Sequence, residues 1–162
     1  MKVFRIKTDY SSTFGYKLNC LKQSLLICIG VFCLLTGSFG QSVKKSTVPA
    51  AVINAVESKY PNSSCTWEKE DSNYEATFKQ NGIQLSLLVS PIGEILETES
   101  GIAITNLPAP AVSYLKQNYA GKRIRDAAMI VDRSGATTYE AALKGMDILF
   151  DSKGNFLKEV KD

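Results

Sequence analysis

Two stretches fifty-nine positions apart, VPAAVINAVESKYP (residues 48–61) and LPAPAVSYLKQNYA (residues 107–120), constrain this chain more than anything else in it. Val48 answers to Leu107, Pro49 to Pro108, Val56 to Leu115 and Tyr60 to Tyr119. In the first stretch Val48, Val52, Val56 and Tyr60 lie four apart, with Ala51 and Ala55 beside them, which is the spacing of one apolar helix stripe. Thr47 is placed to cap this helix, and Pro49 fits the first turn, where its missing N–H is not needed. Pro61 stops it and Asn62 eases the exit. The second helix opens at Leu107-Pro108, tolerates Pro110 in its first turn, and ends at Gly121.

Each helix is followed by segments of period two, the mark of strands with one covered face. In the first copy Cys65 and Trp67 alternate with Thr66 and Glu68, and Tyr74, Ala76 and Phe78 with Glu75, Thr77 and Lys79. Asn81-Gly82 is a strong hairpin signal. After it Ile83, Leu85, Leu87 and Val89 alternate with Gln84, Ser86 and Leu88; Ser90 to Gly93 turns, and a fourth strand covers residues 94–98. SGIAITN, residues 100–106, joins the copies. Strands then fall at 123–132, 138–144, 146–150 and 155–160, with a last hairpin at Asp151 to Gly154. The expected fold class is therefore α+β, a tandem repeat of one helix followed by an antiparallel four-stranded sheet, with repeats at 48–106 and 107–162. A unit of that size is marginal alone, so the copies should pack as one body with their sheets joined edge to edge, which also hides strand edges.

The first forty residues read differently. Lys17 and Lys22 precede the apolar run of residues 25–36, and small residues follow at Ser38 and Gly40. This is the order of a secretory signal, with cleavage expected after Gly40. The run is shorter than the roughly 20 residues that span a bilayer; an uncleaved anchor is the alternative. Residues 41–47 (QSVKKST) then form a short flexible tail. Three of the four cysteines lie in the leader, leaving Cys65, read as a small buried hydrophobe because the chain has no histidine to activate a thiol.

Charge and motifs exclude more than they identify. Residues 41–162 carry 14 cations against 15 acids, which is no footprint for nucleic acid. The copies differ: three lysines against eight acids in residues 48–106, nine cations against seven acids in residues 107–162. The commonest acid–base catalyst and metal ligand, histidine, is absent. Asp147 and Asp151 near Gly154 lack the spacing of a calcium loop, and no cofactor is expected. Trp67 shares the apolar phase and reads as core. The opposite phase gives a candidate partner-binding face of Thr66, Glu68, Glu75, Thr77, Lys79, Gln84 and Ser86, with Glu140 and Lys144 from the second copy.

The Val/Leu-Pro helix start, the tyrosine ending the helix, the Tyr-Glu-Ala strand of TWEKEDSNYEATFKQNG and TTYEAALKG, and the glycine-bearing hairpins of PIGEILETE and ILFDSKGNFLKE occur in this order twice. Across residues 48–160 this resembles the PepSY-like, beta-lactamase-inhibitor-like family of small secreted bacterial proteins. The resemblance implies tandem helix-plus-sheet repeats outside the cytoplasm, and an inhibitor sharing the fold that grips its target with a concave sheet surface; it carries over no contact residue. The expected function is an exported, non-enzymatic binding module, an inhibitor or modulator of an envelope protein or peptide, periplasmic or secreted, with no membrane contact after cleavage. The competing expectation is a small-ligand or envelope-stress sensor with a cleft between the repeats.

Overall fold

In the computed structural model, residues 41–161 are described; the leader read at residues 1–40 lies outside them. The chain runs β1 (Gln41–Ser42), a 3-10 turn (Lys45–Thr47), α1 (Ala50–Lys59), β2 (Thr66–Glu70), β3 (Asn73–Gln80), β4 (Ile83–Val89) and β5 (Ile95–Ile102). A second 3-10 turn (Ile104–Asn106) leads to α2 (Ala109–Asn118), β6 (Asp126–Asp132), β7 (Thr137–Leu143), β8 (Met146–Asp151) and β9 (Phe156–Lys161). All nine strands form one antiparallel sheet in sequence order. The edge-to-edge joint is the β5–β6 pair, in register from Glu97 opposite Asp132 to Ile102 opposite Ala127. The edge-to-edge joining of the two sheets gives one continuous sheet.

Alternation sorts the side chains onto two faces. Following the register strand by strand, Leu85, Ser100, Met129, Tyr139 and Phe150 share one face. Both helices lie on it. Val52 and Val56 of α1 are fully buried with Trp67, Ala76, Phe78 and Leu87, while Ala111 and Leu115 of α2 are buried with Ala141, Leu143, Ile148 and Phe150. The apolar stripe of each short helix is what holds it to the sheet, since ten residues have little helical stability alone.

Residues 41–47, expected as a flexible tail, are instead tied down. Gln41 and Ser42 pair with Lys69 and Glu68, and the Val43 N–H donates to the Trp67 carbonyl at 2.9 Å. Val43 packs against the first core. The supposed linker at 100–106 has the same construction: β5 runs on to Ile102, which packs against the second core, before its own 3-10 turn. Both segments look polar or irregular in sequence because only one apolar residue in each meets the core. Thr47 does not cap α1. Its hydroxyl donates to the Lys44 carbonyl within the 3-10 turn, and Pro49 occupies the cap position with no side-chain bond. Asn62 does aid the exit, at φ +63°.

Two turns explain how the helices are seated. Gly93 and Gly154 both have positive φ, and a Cβ on Gly93 would fall 2.6 Å from the Ala51 carbonyl oxygen, one on Gly154 2.7 Å from Pro108 Cβ. Each β-turn presses its backbone on the first turn of a helix, which only glycine allows.

Candidate binding face

The helix-free face collects the residues proposed from the alternating phase. Thr66, Thr77 and Ser86 form one row across β2, β3 and β4, Glu68 faces Glu75, and Lys79 faces Gln84. Glu140 lies on the same face of β7, buried to 2% exposure, whereas Lys144 sits in the β7–β8 turn beyond the strand end. The face is not uniformly polar, as period two suggested. Leu88, Ile130 and Leu149 share its phase and are only 2–4% exposed. With no helix over them, they must be covered by neighbours on a surface that curves inward.

Electrostatics point to the same curvature. Lys158 on β9 favours the charged form of Glu97 on β5, although β6, β7 and β8 lie between them. Four strand spacings on a flat sheet are about 19 Å, beyond the reach of a screened charge. Residues of five consecutive strands, from Ser86 of β4 to Asp147 of β8, line one hollow on this side, so the helix-free face is concave.

Sequence reading missed several carboxylates of this face: Glu70, Glu97, Glu99 and Asp147. Glu97 was placed in a strand but not assigned to the face, and Glu99 was lost because the fourth strand was ended at residue 98 rather than Ile102. The alternation of Glu97, Glu99 and Gly101 was the available signal. Burial pushes Glu70 up to about 7, helped by the charges of Glu75, Asp71, Glu68 and Glu97. Glu97 is held at about 7 by burial and by Asp132 opposite it, against Lys158. Glu99 is raised to about 7 by burial, then by Glu75, Glu97 and Asp147. Burial also raises Glu75, opposed by a hydrogen bond donated by the Ser86 hydroxyl. The cause is local: Glu75 and Glu97 flank Leu88, and Glu99 lies between Ser86 and Ile130.

Where β5 meets β6 the face sinks into a hollow of about 500 Å³. Its lining includes the small outward residues Gly101, Ala128 and Ala142, and its charged groups are Glu99, Asp126, Glu140 and Asp147 with Arg125. Asp147 is 3% exposed. It takes no part in the Gly154 turn, where Asp151 alone accepts N–H bonds from Lys153 and Asn155. Among the described residues no cluster of His, Cys, Asp and Glu is arranged to hold a metal ion. Trp67 is core, 4% exposed, and does not reach this face. Cys65 is half-buried at the margin of the first core, its sulfur 3.3 Å from the Ser63 hydroxyl.

Comparisons with known proteins agree with the architecture. The family model described as "Putative beta-lactamase-inhibitor-like, PepSY-like" matches twice, at residues 36–97 and 91–158. No curated protein matches the chain. Among solved structures, a "putative periplasmic" protein from Bacteroides eggerthii superposes with TM-score 0.64 at 18% identity, over 70% of this chain and 88% of that one. A DUF2874 family protein from Bacteroides uniformis gives TM-score 0.62 at 16% identity, with the same coverage of 70% and 88%. A BLIP-like protein from Bacteroides fragilis gives 0.56 at 21% identity, covering 70% of this chain and 86% of that one. At these identities the likeness is one of fold. No helix among the described residues is long and apolar enough to cross a membrane.

Proposed function

This chain belongs to the beta-lactamase-inhibitor-like, PepSY-like family, and we propose that it is an exported, non-enzymatic module that binds a protein or peptide of the cell envelope on the concave face of its sheet. The observation that carries this reading is the face itself: a curved, helix-free surface on which half-buried carboxylates, hydroxyls and three covered aliphatic side chains lie side by side. A rigid sheet holds such groups in fixed register, as recognition of a partner requires. Inhibition or modulation of an envelope enzyme is the concrete form of the activity. Export is supported by the order of basic, apolar and small residues in the leader and by the periplasmic description of one structural neighbour.

The same reading takes the chain as one unit written twice. Tyr74, Ala76 and Phe78 occupy the strand places that Tyr139, Ala141 and Leu143 occupy later, and Gly93 and Gly154 each press on the start of the helix that precedes them, α1 and α2. The hollow at the joint of the halves supports the second reading, a small-ligand sensor.

The test is capture. The tagged full chain is returned to the envelope of its source cells beside a control with Glu75, Thr77, Gln84 and Ser86 replaced by alanine, after its fold is checked by circular dichroism. One partner enriched by the native chain and lost by the control supports the binding module. The same set of proteins on both sinks it, and a metabolite that raises the unfolding temperature would then favour the sensor.

A further inference from the structure

The repeat builds the same hollow twice on the helix side, with different chemistry in each half. Each hollow lies between a 3-10 turn, the end of the helix after it, and the loop leading to the next strand. In the first half Lys45 of the turn and Glu57 of α1 line it, joined as an ion pair of 2.7 Å, with Asn62, Ser63 and Ser64 from the loop. Fifty-nine positions on, Ile104 stands for Lys45 and Lys116 for Glu57, and the loop brings Lys122 and Ile124 where the first half has Ser63 and Cys65.

The second hollow, of about 300 Å³, is therefore apolar inside, where Val112, Leu115, Ile124 and Leu143 line it. Ile104, also in its lining, is left 38% exposed. Among the described residues its charged lining is Lys116 and Lys122 alone, with no acid. Neither lysine pairs with a carboxylate of the described residues. The Lys122 ammonium instead donates to the Met146 sulfur at 3.4 Å and stands 5.5 Å from the centre of the Tyr119 ring. A thioether is a weak acceptor. Glu159 touches this lining only through the hydroxyl of Tyr119, which donates to it at 2.7 Å, and its other oxygen faces Lys161.

We propose that this second hollow is a small-molecule site for an amphiphile with a short aliphatic body and a carboxylate head. The body covers Ile104, Val112, Leu115 and Ile124, and the head accepts from Lys116 and Lys122. Charge complementarity selects the head, because two ammonium groups flank an apolar hollow that contains no acid of its own. The volume is at the lower end of small-molecule sites, which fits one compact ligand. The site lies on the α2 side of the sheet, so it stands or falls independently of partner binding on the concave face.

The first half supplies the test. Ile104→Lys/Lys116→Glu writes the Lys45–Glu57 pair into the second hollow at two exposed positions. Decanoate, kept below its micelle concentration, is titrated into the purified full chain and into this variant by calorimetry at low salt, beside decan-1-ol and decylammonium. The swap leaves residues 1–103 untouched, so any binding there is common to both chains. Decanoate should bind the native chain and raise its unfolding temperature. Its affinity should fall at least about tenfold in the swapped variant, whose circular dichroism should match the native chain. Lys122→Gln should weaken decanoate and leave decan-1-ol unchanged, which separates loss of the head contact from loss of the hollow. Lys79→Gln, on the other face, should change neither. Decan-1-ol or decylammonium binding as tightly as decanoate, no binding of decanoate, or undiminished binding by the swapped variant would overturn the proposal. So would capture by anionic lipid vesicles with free decanoate ignored, which would assign these lysines to a membrane surface.

Discussion

The two halves of the sheet place their large rings over different strands. In the first, the large ring comes from a strand: Trp67 of β2 faces Ala76, and the facing helix offers Ala55. In the second, the strand position is Ala127, opposite Ala141, and the ring comes from the helix as Tyr114. Tyr114 stacks on Phe156 at 4.7 Å and meets Phe150 edge-on at 5.9 Å. Phe150 and Phe156 face each other at a register shift between β8 and β9; at the matching shift between β4 and β5 the pair is Val89 and Ile95. Trp67 lies over the β2 side of the first core, whereas Tyr114 lies over the β8–β9 side of the second. A close-packed interior requires that space be filled and leaves open which element fills it.

The opposite face differs between halves in charge. Glu68 and Glu70 of β2 stand where β6 has Ala128 and Ile130, and Glu97, beside Leu88, stands where β9 has Lys158 beside Leu149. Both halves nevertheless set carboxylates on this surface, Glu140 and Asp147 of the second beside Glu99 of the first.

Truncating the rings is the strongest test of the core comparison. Trp67→Ala and Phe150→Ala should each cost about 3–5 kcal/mol in denaturant unfolding. Next come Gly93→Ala and Gly154→Ala, each expected to lose about 2 kcal/mol or more, because each adds a Cβ inside contact distance at positive φ. Unequal losses would show that the two turns do not carry the same load.

A smaller effect follows from titration. Glu70, Glu97 and Glu99 sit at about 7 in the folded chain, against about 4.3 for an unfolded glutamate. Between those values the folded state holds more protons, so their contribution is fully present below about 4.3 and lost as pH rises through 7. Asp132 and Asp151 are lowered by hydrogen bonds, from Ser134 and Asn155 first, and act only below that window. The unfolding temperature should therefore be higher at pH 5 than at pH 8, with a narrower gap in Glu99→Gln; a native chain equally stable at both would show these carboxylates ionising as they do unfolded. The smallest effect is expected from Lys45→Ala. Its 2.7 Å pair with Glu57 joins two exposed side chains, has no counterpart in the second half, and should leave the unfolding midpoint within error.

Much of this was legible in the chain. Helix position followed from the spacing of Val48, Val52 and Val56, and the first hairpin from Asn81-Gly82, both at positive φ. Eight of the nine proposed face residues, all but Lys144, lie on one face because period two has a single phase within each uninterrupted strand. What was not legible were the segments whose role depends on a distant partner. Gln41 and Ser42 are a strand only because β2 is there to pair with, and Ser100 to Ile102 only because β6 is.

The sequence by itself determined the helices, the alternating strands, the tight turns and the order of parts, since each depends on neighbours a few positions away. Only the tertiary structure decided that one sheet runs through both halves, that it curls away from its helices, and that Glu70, Glu97, Glu99 and Asp147 gather on its concave side. Local patterning fixes which way a side chain points from its own strand. How far apart two charges on different strands lie depends on pairing and curvature, which are set by the packing of the whole sheet.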